Sequence, residues 1–393
     1  MKSGKHRSLQ LLTAATLAVA MLSGCSSVKN LFSGRNKDKS GEPAKLVDIT
    51  PLVSANRVWS AAVGKGEKDL GIGQHPVING NHVYAAAVDG GVSALDLNTG
   101  QSLWHYDSKA RLSGGPGVGG GLVVVGGLKG EVIALDEATG QEKWTAKVNN
   151  EVLVAPSIGG GMVFVHSNDG RVTAFDAANG ERRWFYSADI PTLTVRGTGG
   201  ITLGPGILFV SGDNGSVTAL NMNDGNVMWT TPVAEPDGRS ELERMADVDG
   251  DAVLEGTVLY ASSYKNHTVA IDGPSGQVMW DSERGGARGV GVSNSAIVIT
   301  DKNGNVAGLD KNSGGSLWQQ SGLLNRNVSA PTVQGDYALV GDFEGVVHWI
   351  RLSDGAFAAR SKVGAAVTGK PVVADGIAVV QSIDGKLTAF SLK

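Results

Sequence analysis

From about residue 75 to the end, apolar and polar side chains alternate in runs of roughly five to seven residues, broken by Gly, Asn and Asp. The stretch Met162–Trp184 (MVFVHSNDGRVTAFDAANGERRW) shows the pattern: an apolar run, an Asn-Asp-Gly turn, a second alternating run, an Asp-to-Gly turn, and a tryptophan. A period of two with tight turns predicts antiparallel strands. The unit then repeats. Its first glycine or equivalent falls at Gly90, Gly130, Gly170, Gly215, Asn266, Gly304, Gly345 and Gly385. An Ala-apolar-Asp triplet follows, as in Ala94-Leu95-Asp96, then a second glycine and a tryptophan: Trp104, Trp144, Trp184, Trp229, Trp280 and Trp318. Copy seven is degenerate, with Trp349-Ile350-Arg351 for the triplet and Ala359 where a tryptophan belongs, and copy eight stops after Ala389-Phe390-Ser391.

A period near 40 built from short strands and glycine turns is a propeller signature. In each copy the first glycine suits a hairpin turn. The Asp side chain can bond the backbone ahead of it, and the second glycine can take the left-handed position. Upstream of the motif lies another hairpin, opened by a proline in several copies (Pro76, Pro116, Pro156, Pro331, Pro371), so each copy supplies four strands. The expected fold is all-β: an eight-bladed propeller of four-stranded antiparallel blades over residues 51–393. A large ring on the outermost strand suits packing against the neighbouring blade, so the six repeat tryptophans and Trp59 are expected to dock blades together. Trp59, in ANRVWSAAV, sits where a repeat tryptophan would precede Trp104. Residues 57–62 are therefore expected to supply the outermost strand of the last blade, closing the ring by pairing the two ends of the chain.

The first 24 residues change the picture of where the chain works. Lys2, Lys5 and Arg7 precede an uncharged, mostly apolar stretch to Leu22, and Leu22-Ser23-Gly24-Cys25 follows. A charged start, a short apolar core and small residues read as a secretory signal. The quartet resembles the bacterial lipobox, which implies lipidation of Cys25 and, with Ser26 beside it, sorting to the outer membrane. Cys25 is the sole cysteine, so no disulfide framework exists. Residues 25–50 are polar and charged and read as a lipidated start and flexible tether. The chain carries 34 Lys and Arg against 38 Asp and Glu, with three of the basic residues in the leader. That balance argues against nucleic acid as a partner. Membrane contact is expected through the lipid alone.

The run Ala-x-Asp-x-x-x-Gly-x-x-x-Trp, seen as ALDLNTGQSLW, ALDEATGQEKW and AFDAANGERRW, resembles the docking motif of the pyrroloquinoline-quinone dehydrogenases, which are eight-bladed and periplasmic. Their site uses an adjacent cysteine pair, which this sequence lacks, so no quinone cofactor is expected. Other chemistry is equally thin. The histidines His6, His75, His82, His105, His166, His267 and His348 show no metal-ligand spacing, and no G-x-S-x-G elbow occurs. The run DVDGD, with Asp247, Asp249 and Asp251, hints at a calcium loop. The EF-hand pattern would put glycine at position 252 and glutamate at 258, where Ala252 and Val258 stand, so an acidic surface loop is the expectation. The glycine cluster Ser113–Gly121 occupies the repeat position of Ala155–Gly161, which makes it a hairpin rather than a phosphate loop. No catalytic, metal or cofactor residue is assigned.

The connections after Trp184 and Trp229 are longer than the others. They leave consecutive blades on one face, and insertions gathered on one face of a repeat protein often mark a binding surface. One holds Leu193, Val195 and Arg196 (LTVRG), and the other holds Asp247 and Asp249 (DVD). Together with LSGC at 22–25 and the eight repeats, these segments resemble the BamB family of outer-membrane assembly lipoproteins over the whole chain. That resemblance implies a non-enzymatic scaffold of the β-barrel assembly machinery, lipid-anchored on the periplasmic face of the outer membrane. It implies contacts of Leu193, Val195, Arg196, Asp247 and Asp249 with the POTRA repeats of BamA. Val195 departs from the leucine usual in that family. Unfolded outer-membrane β-barrel chains are a further expected partner, received along exposed blade edges by β-augmentation.

Overall fold

A computed structural model describes residues 41–66, 73–194 and 199–393, and Pro43–Lys393 form one compact unit. Its described strands make eight four-stranded sheets. Seven are meanders of consecutive strands, as in blade 1: β2 (Val77–Asn79), β3 (His82–Ala87), β4 (Gly91–Asp96) and β5 (Ser102–Tyr106). The eighth takes three strands from the end of the chain, β30 (Val372–Ala374), β31 (Ile377–Ser382) and β32 (Lys386–Leu392). Its outermost strand is β1 (Ala55–Ala62), from the beginning. β1 pairs antiparallel with β32, with Trp59 opposite Ala389, so the ring is closed as the repeat predicts. The pairing supplies ladder bonds to two edges that would otherwise be open.

The core lies between blades. The two middle strands of each blade are buried almost throughout, while the outermost strands alternate between exposed and half-buried positions. One apolar cluster joins Trp59, Val379 and Leu387 of blade 8 to Val83, Leu95 and Leu97 of blade 1. Each sheet thus buries one face against each neighbour, which a single wedge-shaped sheet cannot do alone.

The tryptophans act across these seams. Trp104 Nε1 donates to the Glu137 carbonyl of the next blade at 3.0 Å, Trp144 to Ala177 at 2.9 Å, and Trp318 to Leu352 at 2.6 Å. Trp184, Trp229 and Trp280 donate to Met222, Gly273 and Lys311, and Trp59 to Leu97 of blade 1. Each indole also lies flat on the turn glycine of the blade it reaches. A Cβ on Gly140 would stand 2.5 Å from Trp104 Cε3, so the indole and a φ of +70° both demand glycine there. Opposite each ring, on the third strand, stands a small residue: Ala94, Ala134, Ala174, Ala219, Ala270, Gly308 or Ala389.

Blade 7 inverts this pair. Trp349 stands on the third strand, β28 (Val346–Arg351), opposite Ala359 on the fourth, β29 (Phe357–Lys362). Trp349 is fully buried, donates Nε1 to Gln334 Oε1 at 2.7 Å, and meets Phe390 of blade 8 edge-on at 5.3 Å. The reason lies next door. A tryptophan at 359 would reach for the turn glycine of blade 8, but that blade has no such turn, because its fourth strand comes from the other end of the chain. The missing tryptophan and the missing glycine belong to the same seam.

That seam is covered by the segment before β1. Leu52 N donates to the Ala358 carbonyl at 2.8 Å, Ser54 and Lys393 exchange backbone bonds, and Val53 and Ala55 pack on the cluster holding Trp349 and Phe390. Further back, Ala44 N donates to the Leu324 carbonyl at 2.8 Å. Arg326 Nη1 donates to the Ala44 carbonyl, and Arg360 Nη1 to that of Val47. The last part of the 25–50 segment is thus fastened to blade 7. Arg326 and Asp342 beneath it are an ion pair, 3% and 0% exposed at their side chains, with His348 bonded to the same carboxylate. Burial holds His348 below its ordinary pKa, so it is neutral at pH 7.

Candidate functional site

In an antiparallel meander, the turns between second and third strands and the connections between blades emerge on the same face. Both long connections therefore share a face with the hairpin turns of blades 4 and 5. The first runs from β13 (Arg182–Ser187) to β14 (Ile201–Gly204), the second from β17 (Val227–Pro232) to β18 (Val253–Glu255).

The second connection is an ordered excursion with buried feet. Val233, Ala234, Met245, Ala246 and Val248 are buried, with Val233 N bonded to Gly215 O at 2.8 Å and Val248 N to Gly212 O at 3.2 Å. Its outer part carries one helical turn, α1 (Glu241–Arg244), closed by a capping box between Ser240 and Glu243. Lys265, from the hairpin of blade 5, reaches the Asp237 carboxylate and the Glu235 carbonyl and holds the excursion over the blade. The first connection meets the second: a Cβ on Gly199 would stand 2.4 Å from the Val248 carbonyl oxygen, and one on Gly200 would strike Asp251. The described parts of the two connections present Ile190, Leu193 and Leu242 to solvent.

Sequence placed Leu193 in this surface, and it is 42% exposed there. Val195, Arg196 and Cys25 lie outside the described residues. The aspartates differ from the expectation of an acidic surface loop. Asp247 is fully buried and Asp249 only partly exposed, because Val248 between them is driven into the core shared by blades 4 and 5. Both carboxylates converge with that of Asp213, with one oxygen from each within 4.8 Å of the others. Asp213 was not legible in the sequence. It sits in Gly-Asp-Asn-Gly, which reads as one more hairpin turn, and only the fold brings blade 4's turn under the second connection.

Three carboxylates in so small a volume cannot all stay ionised. Burial first, then the Asp247 charge, pushes Asp213 up to about 7. Burial, with Asp247 and Asp213, pushes Asp249 well above the usual carboxylate range. The donor type would suit a hard cation, but three oxygens fall short of the roughly six to eight a calcium ion takes. Asp249 also lines a cavity of about 440 Å³ at the centre of this face.

Comparison with known proteins places the chain as a whole. The family profile described as outer membrane protein assembly factor BamB matches residues 44–111, 88–320 and 302–393. An outer membrane protein assembly factor BamB from Xanthomonas campestris pv. campestris is 52% identical over 384 residues, covering 94% of this chain and 95% of that protein. The crystal structure of BamB from Moraxella catarrhalis superposes with a TM-score of 0.78 at 26% identity, covering 86% of this chain and all of that one. The quinohemoprotein alcohol dehydrogenase of Comamonas testosteroni gives a TM-score of 0.67 at 15% identity, over 88% of this chain and 78% of that one, a likeness of fold alone.

Proposed function

The chain belongs to the outer membrane protein assembly factor BamB family, and from that premise we propose that it is a non-enzymatic scaffold of the β-barrel assembly machinery. It works from the periplasmic face of the outer membrane, anchored through lipid on Cys25, and holds BamA through its POTRA repeats. No helix among the described residues is long and apolar enough to cross a membrane.

The observation that supports this reading best is the meeting of the two long connections on one face. They offer Ile190, Leu193 and Leu242 as exposed aliphatic anchors over a buried acidic cluster. Apolar anchors within a charged surround are the usual composition of a binding hot spot. Leu193, Val195 and Arg196 are the proposed direct contacts. Asp249, partly exposed, stands at the rim. Asp247 is buried, so its proposed part is to position the second connection through the cluster and the Tyr264 N–H that its carbonyl accepts at 2.8 Å.

The test is capture of BamA from solubilised membranes by the tagged, full-length protein. Arg196→Ala and Leu193→Asp should each weaken capture by at least tenfold while the unfolding midpoint holds. Full capture by both variants would sink the site. Reception of unfolded barrel strands is a second part of the proposal, supported by consecutive outer strands that present Val227, Met228, Val278 and Met279 to solvent. Photocrosslinkers at Met228 and Met279 should then trap unfolded barrel chains, whereas trapping confined to the loop face would count against it.

A further inference from the structure

The three carboxylates that meet under the second connection are held together by the backbone of two blades. Asp213 lies in the hairpin turn of blade 4, and Asp247 and Asp249 in the connection that follows. The Gly212 carbonyl accepts from Val248 N at 3.2 Å, and the Asp247 carbonyl from Tyr264 N at 2.8 Å. The turns of blades 4 and 5 thus grip the Asp247–Asp249 run from both sides. This is not the contiguous calcium loop that the sequence excluded, because its carboxylates come from two separate elements.

A second observation falls on the same place. Asp213 is 8% exposed, and its Oδ1 is buried with no hydrogen-bond donor, as is Asp249 Oδ1. The wholly buried hydroxyls of Ser211 and Ser263 also lack partners, as does the buried Asn266 Oδ1. Ser211 adjoins the Gly212 that holds Val248, and Ser263 and Asn266 belong to the turn of Tyr264. Buried polar atoms are normally paired, so oxygens left over in two adjoining turns point to a group that binds there. The charges agree. Arg288, from the connection between blades 5 and 6, acts electrostatically on Asp249, while Asp251 and Lys370 beside it offset one another. Three carboxylates against one guanidinium leave two negative charges, which one divalent cation balances.

We propose that Asp213, Asp247 and Asp249 form a binding site for a calcium ion. Ligand oxygens at about 2.4 Å from calcium can stand up to about 4.8 Å apart, whereas magnesium, at about 2.1 Å, allows only about 4.2 Å. One oxygen from each aspartate within 4.8 Å of the others is therefore a span that calcium accommodates in full. Carboxylates can bind calcium through both oxygens, and water completes the shell from the cavity that Asp249 lines. Bound there, the ion ties the second connection to the turn of blade 4. The site stands independently of the identity of any partner.

Calcium chloride is the probe, titrated calorimetrically into the purified full-length protein after treatment with a chelator and its removal. The expected result is saturable one-to-one binding, at least tenfold tighter than that of magnesium chloride. Asp213→Asn and Asp249→Asn, which keep the size of each side chain, should each weaken it at least tenfold. Glu241→Gln, on the exposed helical turn of the same connection, should bind as the parent does. A second readout needs no variant: the thermal unfolding midpoint of the parent should rise in calcium and return to its starting value with excess chelator. Absence of saturable calcium binding, binding undiminished in both aspartate variants, or a midpoint indifferent to calcium would overturn the proposal. Magnesium bound as tightly as calcium would overturn the choice of ion.

Discussion

Exchanging the inverted pair of blade 7 for the arrangement of the other blades should harm the protein rather than regularise it. Trp349→Ala removes a fully buried indole, a change that costs about 3–5 kcal/mol in well-packed cores. It also strips the partner from Gln334 Oε1, which lies in a residue 2% exposed, and an unsatisfied buried acceptor adds roughly 1–3 kcal/mol. The double variant Trp349→Ala/Ala359→Trp restores the common order along the sequence. It offers the new ring no turn glycine to lie on, and Ala359 is itself 2% exposed, packed among Ala358, Val363 and Phe390. The second change therefore adds overpacking, typically about 1–3 kcal/mol, on top of the first loss. Urea unfolding followed by tryptophan fluorescence and far-UV circular dichroism reads the midpoint of each variant. The expected order is parent, then the single variant, then the double variant at or below the single. A double variant that recovers to within about 1 kcal/mol of the parent would show that blade 8 can receive an outer tryptophan, and the explanation by the missing turn would be wrong.

Three other outcomes follow from the same contacts. Asp213 has its pKa raised from 3.8 to about 7, so between those values the folded state holds a proton that the unfolded state releases. The stability this provides is complete at the acid end and is lost as pH rises through 7, by at most about 4 kcal/mol. Asp213→Asn should therefore gain on the parent in midpoint between pH 5 and pH 8, and parallel curves would contradict the burial argument. Gly140→Ala and Gly121→Ala both pay about 1–2 kcal/mol for a left-handed backbone, but only at Gly140 does the new Cβ strike an indole. Gly140→Ala should be the more destabilised in urea, and equality would remove the seam role given to Trp104. Arg326→Met leaves Asp342 buried without its guanidinium, a loss of about 3–5 kcal/mol, and should open residues 43–54 to limited proteolysis. Arg360→Met leaves the Arg326–Asp342 pair in place but releases the Val47 carbonyl, the donor to His348 Nδ1 and the stack on Phe357, and should open the same segment with a smaller loss of stability than Arg326→Met.

The repeat made the architecture legible because a propeller's constraints are local. Each Ala–Trp pair, each Asp-to-Gly turn and each hairpin glycine serves contacts within one period or the next, so the sequence displays them at fixed spacing. Even the clasp could be read, since Trp59 keeps its distance from Trp104. What could not be read depends on where the ring is cut. The inversion at Trp349 and Ala359 looked like decay, because its cause is a turn absent from another blade. The fastening of Ala44 and Val47 to blade 7 was hidden for the same reason, as its arginines lie far along the chain at 326 and 360. At the loop face, the length of the connections marked the region and Leu193 within it. The burial of Asp247 did not show, since three acidic positions in five residues look solvated until Val248 is seen in the core. Asp213 was invisible, since its turn has the same composition as turns that hold nothing.

The central claim, that the two long connections form the partner surface, is tested most directly by site-specific photocrosslinking in intact cells. A crosslinker at Leu193 or Leu242 on the loop face should capture BamA through its POTRA repeats, and one at Leu103, on the outer strand of blade 1 and 49% exposed, should not. Capture of BamA from Leu103 and none from Leu193 or Leu242 would contradict the account.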